Sequence, residues 1–394
     1  MKIAYVYDAA YPWVKGGAEK RVYDLALRMA QRGHEVHCYS WGWWWAEEGK
    51  KDIILDGIHL HGVGEPRELY TDNRRSISEA ILFAFKLTPL LWKEKFEVMD
   101  CQGFPFFSCF PAKFHSLMGK SFLIITALEV WGDYWYTYLG FMGFFGKVLE
   151  KIIYHLSDHI ICISPKTEKD LKNIRRTGQS TVIPPGINFK EIEQISPKNE
   201  EWDLIFAGRL IKEKRVDLLI RSLSTVKKNN PHVKCLIIGD GPEMEKLKGL
   251  VQELDLLNNV KFMGFLENVS DLFGFMKASN VFVLPSEREG FGMVVVEANA
   301  CGLPVVVVEG SMNAAADLVQ EGVNGFITPP HEKDMALKIN QALKERDKLK
   351  TNCIESARRY DWNEIVSRYC KLQSGFIPSL EGWRIMFTIF PRNW

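Results

Sequence analysis

Two glutamates, Glu289 and Glu297, stand eight positions apart in "EREGFGMVVVEANACGLPVVVVEG" (287–310). Carboxylates are good acceptors for the paired hydroxyls of a ribose or a hexose. Gly290 and Gly292 beside them would let the backbone come close to a ligand, with Phe291 between the two. Upstream, "GRLIKEKRVD" (208–217) places Arg209 and Lys214 just after a hydrophobic run. A diphosphate needs two or more cationic donors together; arginine supplies a fork and lysine a mobile point charge. Blander readings stand beside these: two ordinary surface acids, and a solvated basic edge. A glycosidase also uses two carboxylates, about 5 to 9 Å apart, but it leaves the basic pair without a duty. A nucleotide-sugar donor accounts for both sets.

The elements that would position these residues repeat as strand, loop, helix. "KIAYVYD" reads as a first strand, and "GGAEKRVYDLALRMAQRG" as a helix with apolar positions at 22, 25, 26, 29 and 30. Further strands are expected at 57–63, 96–102, 121–128 and 159–164. The rhythm breaks at "STVIPPGINFKEIEQISPKNEEWD" (180–203), where two prolines, a glycine and a charge run suggest a linker. It then restarts with "WDLIFAGRL", "VKCLIIGDG", "VKFMGF", "NVFVLPS" and "LPVVVVEG". Alternation of this kind argues for an α/β protein with mostly parallel sheets. The expected organisation is a domain over 1–190, a second over 191–360, and a helix and tail over 361–394 returning to pack on the first. A cleft between two such domains is where a pocket is expected. Glycine-bearing loops follow several strands, with Gly16 and Gly17 before the first helix, Gly208, and Gly239 and Gly241. Glycines there let backbone N–H groups approach an anion. None of the loops reads G-x-G-x-x-G or G-x-x-x-x-G-K-[ST], which argues against the dinucleotide fingerprint and the P-loop.

With 394 residues the chain is long enough for two cores, and 50 Lys plus Arg against 49 Asp plus Glu give no net field for a nucleic-acid partner. The eight cysteines show no C-x-x-C pair and read as reduced, buried thiols of a cytoplasmic protein. No secretory leader is read at Met1. The longest uncharged apolar run, Tyr134 to Gly146, has 13 residues, short of the roughly 18 that a spanning helix needs. Aromatic residues gather at 41–45, 104–110 and 130–145. Trp and Tyr suit both carbohydrate stacking and a lipid–water boundary. The stretch from Trp131 to Phe145 with the following "GKVLEKIIYHL" therefore has two readings, a membrane-touching surface and a buried packing segment.

Together, "GGAEKRVYDLALRMAQRGHEV", "PPGIN", "GRLIKEKRVDLLI", "GDGPE", "EGFGMVVVEANACGLPVV" and "EGVNGFI" resemble glycosyltransferase family 4 over residues 1 to about 370. The resemblance implies a GT-B fold, with two Rossmann-like domains facing across a cleft, and a retaining transfer of a hexose from a nucleoside diphosphate sugar. It implies that Arg209 and Lys214 clamp the donor diphosphate, that Glu289 faces the transferred sugar and that Glu297 holds the donor ribose. Gly16 and Gly17 match the loop that closes near donor and acceptor; Gly208, Gly239, Gly290, Phe291 and Gly292 fall on the donor side. A UDP or GDP sugar is the implied donor, with no permanently bound cofactor and no metal. The acceptor is expected to be a glycan or a lipid-linked molecule bound mostly by the N-terminal domain, with the protein cytoplasmic or peripheral on the inner face of the cell membrane.

Two places depart from the family pattern. Leu128 stands where a histidine is usual, and leucine cannot donate a hydrogen bond. In "EGSMNAAAD" (309–317), Gly310 and Ser311 remain as phosphate contacts, but Asn313 and Ala314 stand where the family carries others. The alternatives left open are a nucleotide-sugar-binding protein with weak or no catalysis, and a phosphorylase or epimerase on a similar scaffold.

Overall fold

The computed structural model describes residues 1–71 and 74–375, which fall into two compact units. The first comprises Met1–Pro184 and the chain from Ile365, and the second Pro185–Glu364. The tail "GWRIMFTIFPRNW" lies outside the described residues.

The first unit is built on an eight-stranded sheet. Its strands are β1 (Lys2–Val6), β2 (Glu35–Ser40), β3 (Asp52–Leu55) and β4 (Ile58–Gly62), then β7 (Val98–Gln102), β8 (Phe122–Ala127), β9 (His159–Cys162) and β10 (Gln179–Val182), in the order β10-β9-β8-β7-β1-β2-β4-β3. A small hairpin, β5 (Tyr70–Thr71) and β6 (Arg74–Arg75), lies outside it. All pairs in the large sheet are parallel except β3 with β4. The helices are α1 (Gly17–Gln31), the single turn α2 (Trp45–Glu48), α3 (Ile77–Trp92), α4 (Cys109–Leu117), α5 (Tyr134–Leu139), α6 (Gly143–Tyr154) and α7 (Pro165–Ile174). Central strands are buried along their length, Ile3 to Val6 on β1 and Val98 to Gln102 on β7, as parallel strands covered on both faces must be.

The second unit repeats the scheme with six parallel strands. These are β11 (Trp202–Ala207), β12 (Cys235–Ile238), β13 (Val260–Gly264), β14 (Ser279–Leu284), β16 (Val305–Val308) and β18 (Gly325–Thr328), ordered β13-β12-β11-β14-β16-β18. Two dipeptides, β15 (Arg288–Glu289) and β17 (Met312–Asn313), make a separate parallel pair. The helices are α8 (Phe189–Gln194), α9 (Val216–Asn229), α10 (Met244–Glu253), α11 (Val269–Lys277), α12 (Met293–Ala300) and α13 (Glu332–Arg358), and α14 (Trp362–Ser374) leads back into the first unit.

The stretch 180–203 is far from a plain linker. It carries most of β10 and all of α8, and the chain first passes from one unit to the other at Pro184–Pro185, where missing N–H groups end the ladder. The 27-residue α13 goes beyond the sequence reading: its lysines and glutamates mask a buried stripe of Met335, Ile339, Ala342, Leu349 and Cys353. Among the described residues no helix is long and apolar enough to cross a membrane, and all eight cysteines are free thiols.

Within the first unit α14 is anchored by a buried carboxylate. Asp100 accepts hydrogen bonds from Thr126 Oγ1 at 2.6 Å and Gln102 Nε2 at 3.2 Å, and from Tyr369 Oη at 2.8 Å. Burial raises its pKa, and the nearby Arg21 guanidinium and these donors work against the rise. Tyr369→Phe should therefore lower the stability of the protein by about 1–3 kcal/mol, because it leaves one oxygen of a buried carboxylate short of a donor. Urea unfolding checks this; an unchanged midpoint would mean that α14 is held by packing alone.

Candidate functional site

In the second unit the chain runs from β11 outward to β12 and β13, then returns to the other side of β11 as β14. The carboxyl ends of β11 and β14 therefore flank a topological switch point, where open α/β sheets bind ligands. Gly208 and Arg209 follow β11, and Lys214 ends a single 3₁₀ turn, Lys212–Lys214. Glu289 lies on β15, just past β14. Although 75 residues apart, Lys214 Nζ donates to Glu289 Oε1 at 2.6 Å, with 21% and 12% of their side chains exposed. The Glu287 N–H, donating to the Glu213 carbonyl at 2.8 Å, ties the same two loops through the backbone.

Glycines let the loops around this pair come close to their neighbours. At Gly239, φ is +134° and a Cβ would lie 1.9 Å from the Gly208 carbonyl oxygen, so the loops after β11 and β12 can touch only without a side chain. Gly292 caps α12 at φ +93°, and a Cβ there would lie 2.6 Å from the Ala315 Cβ. Gly290 is half-buried, and the buried Phe291 ring packs edge-on against Tyr360 at 5.6 Å. Glu297 sits half-buried inside α12, more than a turn beyond Glu289, and Arg209 is exposed.

Asn313, which stands in a departure from the family pattern, is a fastener. It pairs in register with Glu289, donates from Nδ2 to the Ser286 and Val308 carbonyls at 2.9 and 2.7 Å, and accepts from Ala315 N at 3.0 Å. One buried side chain thus joins the loops after β14 and β16. The neighbouring Ser286 Oγ is buried and makes no hydrogen bond.

The first unit has its own switch point, between β1 and β7, and charge gathers there too. Asp8, just past β1 and fully buried, pairs with Arg75; Glu79, one turn further along, lies 3.9 Å from the same guanidinium. Trp41 Nε1 donates to Glu79, and Trp43 Nε1 to the Asp8 carbonyl at 3.0 Å. Gly16 precedes α1 and Gly17 begins it; Glu19 folds back over Gly16 and accepts from Tyr7 Oη at 3.4 Å. This cluster escaped the sequence reading. Its available signal was an acid at the end of the first strand and an Arg–Glu pair spaced i, i+4 at a helix start.

The aromatic stretches divide. Trp41, Trp44 and Phe106 are buried, and so are Trp131 and Trp135, which rules out a carbohydrate platform on the "WGWWW" rings at 41 and 44. Phe141, Met142, Phe144 and Phe145, by contrast, are exposed. Leu128 is half-buried after β8. The loop beyond it is clamped by Glu150, which accepts from Trp131 N at 2.7 Å and Gly132 N at 2.9 Å, while Glu129 accepts from Trp131 Nε1 at 2.7 Å. Among the described residues, no group of three or more His, Cys, Asp and Glu side chains is arranged to hold a metal ion.

Two family models match the chain. That for glycosyltransferase family 4 covers residues 15–191, and that for glycosyl transferases group 1 covers 188–360. The phosphatidylinositol N-acetylglucosaminyltransferase gpi3 subunit of Schizosaccharomyces pombe is 24% identical over 90% of this chain and 76% of its own length. Sucrose-phosphate synthase from Thermosynechococcus elongatus superposes with a TM-score of 0.79 at 20% identity, covering 96% of this chain and 99% of that one. Anabaena HepE in complex with UDP gives 0.74 at 19% identity, over 95% of this chain and 100% of that one. These structures share the fold, two parallel α/β units of GT-B type.

Burial, and then the Asp8 charge, push Glu79 up to about 7 from an ordinary value of 4.5, against the pull of Trp41 and Arg75. A carboxyl raised in the folded state stabilises the fold in its protonated form. That contribution is full below 4.5 and is lost as pH rises through about 7. Glu79→Gln should remove this component, so its unfolding midpoint should fall less over that window than the parent's. Parallel pH profiles of the two proteins would show that Glu79 is not a proton-holding group.

Proposed function

The chain belongs to glycosyltransferase family 4, and from that premise we propose that it is a retaining hexosyltransferase using a nucleoside diphosphate sugar, UDP or GDP sugar foremost. The observation that carries this reading is the Lys214–Glu289 pair at the switch point of the second unit. A lone ammonium held by one carboxylate is a cation ready to exchange partners. When a donor arrives, Lys214 turns to the diphosphate together with Arg209, and Glu289 is released toward the sugar hydroxyls. Glu297 takes the ribose hydroxyls, and the glycine loops at 208, 239 and 290–292 let the backbone close on the phosphates.

In the transfer, the bond from the anomeric carbon to the β-phosphate oxygen breaks and a bond to the acceptor oxygen forms. The acceptor's proton leaves with the departing phosphate. Negative charge grows on that phosphate, and Arg209 and Lys214 stabilise it where it develops, so no metal is required. UDP in the HepE complex favours a uridine nucleotide. The acceptor is a glycan or a lipid-linked molecule, the second favoured by the phosphatidylinositol named for the yeast relative. Contact with the inner face of a membrane, through the exposed aromatic residues at 141–145, belongs to the same proposal. A second reading, donor binding without turnover, rests on Leu128 and its lack of a hydrogen-bonding group.

The test is calorimetric binding of UDP, GDP and ADP sugars, followed by transfer onto a membrane lipid extract. Transfer with retained anomeric configuration is expected; binding without transfer would favour the second reading. Lys214→Ala should lower kcat/KM about 100-fold or more, as loss of a charge-stabilising donor does. Glu297→Ala should chiefly raise the dissociation constant of the donor. Near-normal turnover of Lys214→Ala, or unchanged donor affinity of Glu297→Ala, would remove that residue from its role.

A further inference from the structure

Three helices of the first unit turn an apolar back to solvent. The connections β4 to β7, β7 to β8 and β8 to β9 all advance in the same direction along the sheet. Right-handed crossovers then place α3, α4 and α6 on one face, with α1, whose connection runs the other way, on the opposite face. α3 buries Ala80, Phe83, Leu87 and Leu91 but exposes Ile81, Phe85 and Trp92, with Phe85 78% exposed. A helix apolar on both sides ordinarily lies inside a protein or against lipid. On α4, Phe110, Phe114 and Leu117 are exposed, and the Trp92 and Phe114 rings meet at 5.3 Å, so the two patches are continuous. α6 adds Phe144, Phe145, Val148 and Ile152 on its outer side, after Phe141 at 89% exposure.

Charge on these helices is one-sided. Their only acidic residues, Glu79 and Glu150, are both buried, Glu150 being used to cap the loop at Trp131 and Gly132. Their lysines are Lys86, whose ammonium lies over the buried Trp41 ring at 5.7 Å, and Lys113, Lys147 and Lys151. Just beyond the ends of α3 and α4 stand Lys93 and Lys120 against one acid, Glu94, which is paired with Lys2. Lys147 is paired with Asp133, outside the helices. The neighbouring α7 shows the ordinary alternative, lysines balanced by Glu168 and Asp170 at i, i+4. A chain of net charge +1 thus carries an apolar surface bearing cations and no exposed carboxylate on its helices. That combination matches an anionic bilayer, where apolar side chains enter the headgroup boundary and lysines stay among the phosphates.

We propose that the α3–α4–α6 face seats the first unit on an anionic lipid surface. This extends the membrane contact from one loop to a three-helix face and assigns the charge of the lipid. It deepens the transferase reading and rests on it only for the idea that the acceptor is membrane-borne.

The test is co-flotation of the full chain with phosphatidylcholine vesicles, with and without phosphatidylglycerol, at low and high salt. Binding that needs phosphatidylglycerol and weakens with salt is expected. Phe85→Ser and Phe145→Ser should each reduce the bound fraction about tenfold, and Lys113→Ala and Lys151→Ala about fivefold each. Circular dichroism confirms that the variants are folded. Parent protein that never floats, or variants that float like it, would overturn the proposal. So would a concentration-dependent dimer abolished by the same substitutions without vesicle binding, which would assign the face to a second copy. Calorimetry of UDP, GDP and ADP sugars on the same samples separates the two ideas. Vesicle binding without donor binding would sink the transferase reading alone, and the converse would sink this face alone.

Discussion

Lys214 and Glu289 place opposite charges in contact at a half-buried position, and the second unit is arranged so that they must meet. Taking both groups partly out of water costs energy that the contact offsets only if the geometry is good. The loops carrying them are accordingly fastened three times: by the Glu287–Glu213 backbone bond, by the β15–β17 pairing, and by Asn313. Gly239 and Gly292 remove the side chains that would hold the loops apart. Such a pair is rigidly presented yet exchangeable, which suits a site whose ligand brings its own negative charge.

The first unit solves a related problem with a different chemistry. Asp8, Arg75 and Glu79 also occupy a switch point, but they are sealed by Trp41 and Trp43 and share one guanidinium between two carboxyls. With two acids and one base, burial keeps one carboxyl inclined to hold its proton. The cluster therefore supports the shape of the strand end and the α1 loop. It also shows why tryptophans so close in sequence to a candidate acceptor region need not be a sugar platform: their N–H groups and ring area are spent on fixing the acids.

Much of the architecture was legible because buried parallel strands are short hydrophobic runs and their connections end in glycine. Glu289 and Glu297 were visible as candidates from spacing and flanking glycines. The contact of Lys214 with Glu289 was not, since it joins positions 75 apart and depends on strand order. Asn313 looked like a lost ligand contact because a polar residue in a phosphate-side loop has the same letter whether it faces the ligand or the backbone. α13 was hidden by its charged surface, and the division of the aromatic stretches by the fact that composition does not say which ring points inward. Residues 72, 73 and 376–394 lie outside the described structure.

Whether Glu289 holds Lys214 in place of a donor diphosphate can be read from calorimetry of UDP with the parent, Lys214→Ala and Glu289→Ala proteins. Because UDP carries the ribose and the phosphates but not the transferred sugar, the two substitutions should act with opposite signs: Lys214→Ala weakens UDP binding, whereas Glu289→Ala tightens it by releasing the ammonium and removing a competing acid. If Glu289→Ala weakens UDP binding as much as Lys214→Ala does, the pair is a structural brace and Glu289 is no stand-in for the diphosphate.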